Sequence, residues 1–412
     1  MGGFVRAKGA LVALGLVALG PIALGPVMAA PAMAGPAAGP APLTAEQALG
    51  RALFFDTSLS NPPGQACASC HDAATAFTDP DHWHPTSKGV DPTLFGSRSA
   101  PSVLYAAFSP TFHFDKAEGL WIGGQFSDGR AATLEDQAKQ PFVNPIEMAN
   151  TAPAQVVARL KAGPNAARFA SVYGAGALDD APGAYDRIAR AIAAFERTRA
   201  FAPFTSKFDD FRRGLVRLTP QEQRGFDLFT DKAKGNCAAC HITEPADAHT
   251  PALFTDFTYD NVGIPKNYAS GYLTNPHNPD GPAFIDRGLG AVVHDPALDG
   301  AFKVPTLRNL ALTAPYGHNG YFDTMEQIVT FYATRDTRPA CANPKASARE
   351  AMAARCWPPA EVPGTVNRDE MGNLPLNQRD IADLVAFLNT LTDGYDPATG
   401  EAGTAPSSQA AR

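Results

Sequence analysis

Two five-residue stretches carry the strongest chemical signal in this chain: Cys67-Ala68-Ser69-Cys70-His71 and Cys237-Ala238-Ala239-Cys240-His241. C-x-x-C-H is the spacing by which a c-type haem is attached. Two thiols add to the two vinyl groups of one haem, and the histidine that follows comes to lie under the iron. One copy would also fit a redox dithiol or a zinc site. Two copies, each ending in His, point to two covalently bound c-type haems, with His71 and His241 as proximal ligands.

The same offsets recur ahead of each motif. Leu43-Thr44, Gly50 and Leu53-Phe54 match Leu218-Thr219, Gly225 and Leu228-Phe229. Thr44 has Gln47 three residues on. Thr219 has Pro220 at the first helical position and Glu222 at the third, which is a capping box. Each half therefore reads as helix, loop, haem motif. Ala154 to Leu160 and Tyr185 to Phe195 carry apolar residues at helical steps, and Phe201 to Arg217 links the halves. Residues 242–302 are rich in Pro, Gly, Asn and Asp and read as loops. Ile381, Leu384, Val385 and Leu388 share one face of a last helix, Arg379 to Leu391. Strand signals are few. The expected fold is mainly α with long loops, in two tandem cytochrome c-like domains with one haem each. The expected boundaries are residues 35–205 and 206–395, with a disordered tail at 396–412.

The first 34 of the 412 residues read as an export signal. Arg6 and Lys8 form a basic start, an apolar run extends from Gly9 to Val27, and small residues allow cleavage after Ala30 or Ala34. An uncleaved membrane anchor is the alternative. Pro21 and Pro26 weigh against it, since proline costs a helix interior about 3 kcal/mol. Removal of those two cations moves the net charge from −7 to −9. This modest acidity gives no sign of nucleic-acid binding. A periplasmic location without a stable membrane span follows. In that oxidising compartment the two cysteines outside the motifs, Cys341 and Cys356, are expected to pair.

Gly123 to Met148 (GGQFSDGRAATLEDQAKQPFVNPIEM) and Phe302 to Gly320 (FKVPTLRNLALTAPYGHNG), together with the paired motifs, resemble the bacterial dihaem cytochrome c peroxidase and MauG family. The resemblance covers most of residues 43–393. It implies that Gln137, Pro141 and Glu147 border a peroxide-binding haem held by His71. A carboxylate above an open haem face can move a proton between the two peroxide oxygens, which suits Glu147, while Gln137 can hold water or peroxide. Many relatives carry a loop histidine that blocks this face until the other haem is reduced. The matching position here is near Val90. His82 and His84 lie close and are expected to be exposed, so the site is expected to be open.

The resemblance places Tyr332 opposite His241 on the second iron, as in MauG-like members, with Met371 and Met325 as competitors. A thioether raises a haem potential, whereas a phenolate favours the ferric state. Tyr332 thus leans towards oxidation of a partner protein's side chains. The family usually has tryptophan directly before D-G-R as an inter-haem relay, and this chain has Ser127. Trp121 or Phe126 stands near as a partial substitute, although packing is the commoner use of such a tryptophan. Calcium between the domains would fall to Ser99 and to the carbonyls of Thr313 and Pro315; serine is a weaker ligand than the usual asparagine. Arg130 and Arg308 are expected on haem propionates, and His318 as a hydrogen-bonding neighbour.

The implied activity is reduction of hydrogen peroxide at the first haem, with electrons passed through the second. The donor would be a small cytochrome c or cupredoxin. MauG-like oxidation of a protein substrate is the alternative, and a non-catalytic dihaem electron carrier is a second.

Overall fold

The computed structural model describes residues 42–400. The expected export signal, residues 1–34, and residues 401–412 of the expected tail lie outside the described residues. The chain is helix-rich, as expected. The first half carries α1 (Ala45–Phe54), α2 (Cys67–Cys70), α3 (Leu134–Val143), α4 (Pro153–Ala162), α5 (Ala166–Tyr173) and α6 (Ala181–Glu196). The second carries α7 (Lys207–Arg212), α8 (Pro220–Thr230), α9 (Leu289–Val293), α10 (Met325–Thr334), α11 (Ala348–Ala354) and α12 (Gln378–Asn389). Among the described residues there are also ten short 3-10 helices and two antiparallel pairs: β1 (His113–Asp115) with β2 (Leu120–Ile122), and β3 (Tyr259–Asp260) with β4 (Phe302–Lys303).

The sequence repeat folds into the same arrangement twice. Thr44 and Gln47 close a capping box on α1, and Thr219 and Glu222 close one on α8. Helix α1 then crosses α6, and α8 crosses α12. At each crossing the repeated glycine packs directly on the facing backbone. A Cβ on Gly50 would stand 1.8 Å from the Ala191 carbonyl oxygen, and one on Gly225 2.0 Å from that of Asp383. Only a residue without a side chain lets the backbones approach so closely.

Matching aromatic rings fill the space behind each crossing. Phe54 meets Phe195 at 5.7 Å and Phe77 at 6.2 Å; Phe229 meets Phe387 at 5.1 Å and Phe254 at 6.2 Å. All six rings are buried, and such edge-to-face pairs add about 0.5–1.5 kcal/mol each beyond burial.

The two halves are tied by buried polar contacts. Asp393 accepts from Tyr105 Oη at 2.6 Å, from Asn309 Nδ2 at 2.8 Å and from the Thr205 amide at 2.8 Å. Arg98 grips Asp286 with two bonds of 2.7 Å and also meets Asp128 at 2.6 Å. The Tyr395 amide donates to Thr205 O at 3.0 Å, and the Gly400 amide donates to Asp396 O at 2.8 Å. Cys341 and Cys356 are joined, as expected, around α11.

Candidate haem sites

The two motif histidines are held alike. His71 Nδ1 lies 2.9 Å from the Phe77 carbonyl oxygen, and His241 Nδ1 2.9 Å from that of Phe254. A carbonyl only accepts, so each Nδ1 carries the proton and each Nε2 keeps its lone pair for a metal. Burial pushes both imidazoles towards the neutral form. The carbonyls point inward because Phe77 and Phe254 sit in the left-handed region, at φ 57° and 55°. A hydroxyl next to each holds the turn: Ser102 Oγ donates to Ala76 O at 2.6 Å, and Thr306 Oγ1 to Leu253 O at 2.7 Å.

Sequence reasoning missed these residues, although a signal was there. Phe77-Thr78-Asp79 and Phe254-Thr255-Asp256 are the same tripeptide. It stands six residues after one histidine and thirteen after the other, so the shared offset is lost.

Around His71 the first half gathers acid–base groups. Glu147 follows α3 and accepts from Asn144 Nδ2 at 2.7 Å. Burial raises its pKa, partly offset by the nearby Arg130 cation. Its charge also reaches Cys67 and Cys70, whose thiols burial keeps neutral. Gln137 and Pro141 lie one turn apart on α3, both partly buried. The Val90 amide donates to Glu147 O at 2.8 Å and so clamps the backbone of the Glu147 loop. His82 and His84 are exposed, as expected; they bind Ala314 O at 2.7 Å and Asp81 at 3.0 Å. A second carboxyl was not foreseen. Glu196 ends α6 fully buried, its Oε2 without a hydrogen bond, and burial lifts its pKa to about 8.

Around His241 the surroundings are mostly apolar, but Asp260 and Glu370 bring carboxylate oxygens within 4.8 Å of Cys240 Sγ. A cavity of about 380 Å³ is lined by Cys237, Cys240, His241, Ile328, Leu384 and Leu388 among others. Tyr332 and Met371 both line it, and they are neighbours, since the Gly372 amide donates to Tyr332 O at 2.7 Å. Burial raises the Tyr332 pKa, so its hydroxyl is neutral here. Met325 is not among the lining residues and packs between two core clusters.

The cavity extends towards the first half, where Ser99, Ser127, Lys303, Thr313 and Pro315 line it. The Lys303 amide donates to Ser127 O at 2.7 Å, and burial lowers the Lys303 ammonium pKa to about 8. The two arginines expected on haem propionates make these contacts within the protein. Arg308, 2 % exposed, closes its fork on Asp209 at 2.8 and 2.9 Å, because so buried a cation needs a fixed counter-charge. Arg130 lies 3.5 Å over the Phe126 ring and pairs with Asp128 at 3.0 Å. His318 stacks on Phe302 at 3.7 Å and makes no protein hydrogen bond with either ring nitrogen.

The donor sets fit a haem at both motifs. All four motif cysteines are free thiols while Cys341 and Cys356 are bonded. Both imidazoles are neutral and fixed at Nδ1, the orientation that metal-bound histidines receive from a second partner.

The di-haem cytochrome c peroxidase family model matches residues 44–217. The methylamine utilization protein MauG of Paracoccus denitrificans is 40% identical over 375 residues, covering 87% of this chain and 94% of that one. The cytochrome c551 peroxidase of Nitrosomonas europaea is 31% identical over 347 residues, covering 84% and 79%. The crystal structure of the diheme peroxidase BthA from Burkholderia thailandensis superimposes with a TM-score of 0.75 at 34% identity, covering 89% of this chain and 90% of that one. The chain belongs to the di-haem cytochrome c peroxidase family. It is a dihaem oxidoreductase that acts on hydrogen peroxide.

Proposed function

We propose that the two haem sites divide the work, with peroxide reduced beside His71 and single electrons passed at His241. One asymmetry carries this reading. The histidines are held identically and carboxyls stand by both motifs, Glu147 at the first and Asp260 with Glu370 at the second, but the second cavity is also lined by Tyr332 and Met371, either of which can close an iron. Attached through Cys67 and Cys70, and through Cys237 and Cys240, the haems supply iron centres that exchange electrons one at a time.

Glu147 acts as the acid–base group. As carboxylate it takes the proton from one peroxide oxygen and returns it to the other, which leaves as water when the O–O bond breaks; two electrons and two protons then turn the remaining oxygen into the second water. Asn144 holds one carboxyl oxygen at 2.7 Å, so the group is aimed before peroxide arrives. Gln137 holds water or peroxide from α3, the helix that precedes Glu147. Replacing Glu147 by Gln tests the role: peroxide reaction should slow by about 10²–10⁴, and an unchanged rate removes Glu147 from the mechanism.

Tyr332 is the second ligand at the His241 site, ahead of Met371, and Ser99, Thr313 and Pro315 hold calcium where the halves meet. Tyr332 and the 40% identity to a MauG protein favour oxidation of a partner protein's side chains over turnover with a small cytochrome or cupredoxin. A chain exported to the periplasm, with domains 35–205 and 206–395, suits both. Among the described residues no helix is long and apolar enough to cross a membrane.

A further inference from the structure

The cavity beside His241 is unequal at its two ends. At the attachment end, carboxylate oxygens of Asp260 and Glu370 stand within 4.8 Å of Cys240 Sγ. At the other end, where the first half closes on it, the wall carries Ser109, Ser127 and Lys303. Lys303 lies on β4, and three bonds fasten it to the first half. Its amide donates to Ser127 O at 2.7 Å, and its Nζ donates to Ser109 Oγ at 3.3 Å and to Gly124 O.

The ammonium is short of negative charge. The carboxylate whose field reaches it, Asp128, is already held by Arg98 at 2.6 Å and by Arg130 at 3.0 Å. Both bonded partners of Nζ are neutral oxygens, and an ammonium has a third donor. A buried cation is stable when an anion faces it. Arg308, the other lysine or arginine on the cavity wall, has that anion in Asp209. His318 lines the same cavity with its side chain 5 % exposed, stacked on Phe302, the residue before Lys303. Neither of its ring nitrogens meets a protein partner, and buried polar atoms of this kind call for a polar ligand. A haem joined at Cys237 and Cys240 is held by its vinyl edge, and its two propionate carboxylates stand on the opposite edge. The charges on the wall suit that orientation. Asp260 and Glu370 repel carboxylates at the attachment end, and Lys303 attracts one at the other.

We propose that Lys303 holds a propionate of the His241 haem and, being bonded to the first half, sets the potential of that haem from across the boundary between the halves. It is a positioning residue, since its ammonium touches no reacting atom. The inference rests on the reading that a haem is attached through Cys237 and Cys240. A fixed cation beside that haem favours the ferrous state, because ferric iron carries one more positive charge. The step it biases, one electron added to ferric iron to give ferrous iron, takes no proton from Lys303.

The test uses the full-length holoprotein. Haem-linked peptides show which motifs carry haem, resonance Raman reads the propionate-bending bands, and spectroelectrochemical titration reads each haem's potential. In the native protein, exchange into heavy water should shift a propionate band, because the ammonium protons exchange. Lys303→Gln keeps a hydrogen-bond donor and removes the charge. It should move the same band and, at a fixed potential, raise the ferric-to-ferrous ratio of the His241 haem by about tenfold or more, with the His71 haem moving less. Lys303→Arg keeps the charge and should restore the native potential. Native bands that ignore heavy water, a folded Lys303→Gln protein with the native potential, or a larger shift at the His71 haem overturns the anchor alone. Absence of haem from the Cys237–Cys240 peptide overturns the attachment reading and the anchor with it.

Discussion

The Phe77 carbonyl oxygen lies 2.9 Å from His71 Nδ1, and it points there only because Phe77 takes a φ of 57°. The ring on that residue is buried against Phe54 and Phe201, so packing fixes the backbone that fixes the imidazole. Phe77→Ala should cost about 3–5 kcal/mol of stability. It should also free the His71 ring and alter the spectrum of one haem only, with Phe254→Ala altering the other. Urea unfolding and spectra of each variant check this. Equal changes at both haems in either variant would show that the two halves do not hold their histidines independently.

Glu147 sets a pH dependence whose sign follows from its neighbours. Burial raises its pKa, so the carboxylate appears at higher pH than an exposed glutamate would allow. The Arg130 cation opposes that shift. Arg130→Met therefore raises the pKa further. The rate of reaction with peroxide should rise with pH through an inflection above the ordinary glutamate range, and that inflection should move up in Arg130→Met. Stopped-flow rates from pH 4 to 9 decide it; an inflection that moves down contradicts the assignment.

How much of this was readable beforehand depends on what the chain repeats. Leu-Thr, Gly and Leu-Phe recur at identical offsets because a helix start, a close crossing and a core ring demand fixed spacing along one helix. The haem motifs are contiguous, so they too are plain. Phe77-Thr78-Asp79 and Phe254-Thr255-Asp256 repeat just as faithfully in space, but the loops that lead to them differ in length. Glu196 is a charged letter at the end of an amphipathic helix, and nothing local says that it faces inward. The partners of Arg308 and Arg130 are separated by long-range or loop geometry, which residue type alone does not supply. The stack of Phe112 on Trp121 depends on a two-strand hairpin of three residues each, too short for an alternation signal.

Glu196 should make the folded chain less stable as pH rises. Its pKa is lifted to about 8 by burial, while an unfolded glutamate titrates near the ordinary 4.5. Above 4.5 the unfolded chain has lost this proton and the folded one keeps it, so folding is penalised progressively. Below 4.5 both states hold the proton and the group contributes nothing. The slope approaches about 1.4 kcal/mol per pH unit between those values and levels off above 8. Glu196→Gln removes the charge and should flatten the curve across that window. Urea midpoints measured from pH 4 to 9 in both proteins test this, and parallel curves would place the Glu196 carboxyl in water.

Tyr332 and Met371 compete for one place because the backbone brings them together. The Gly372 amide is bonded to Tyr332 O, and both side chains line the His241 cavity. Tyrosine is held neutral there by burial, so ligation must displace its proton, which a ferric iron favours and a ferrous iron does not. Methionine needs no proton loss and suits the ferrous state. Tyr332→Phe should therefore change the ferric spectrum of the His241 haem and raise its potential as Met371 takes the position. Met371→Ala should leave the ferric spectrum unchanged. The reverse pattern, with Tyr332→Phe silent and Met371→Ala active, would make Met371 the ligand and remove the main argument for side-chain oxidation over turnover with a small donor.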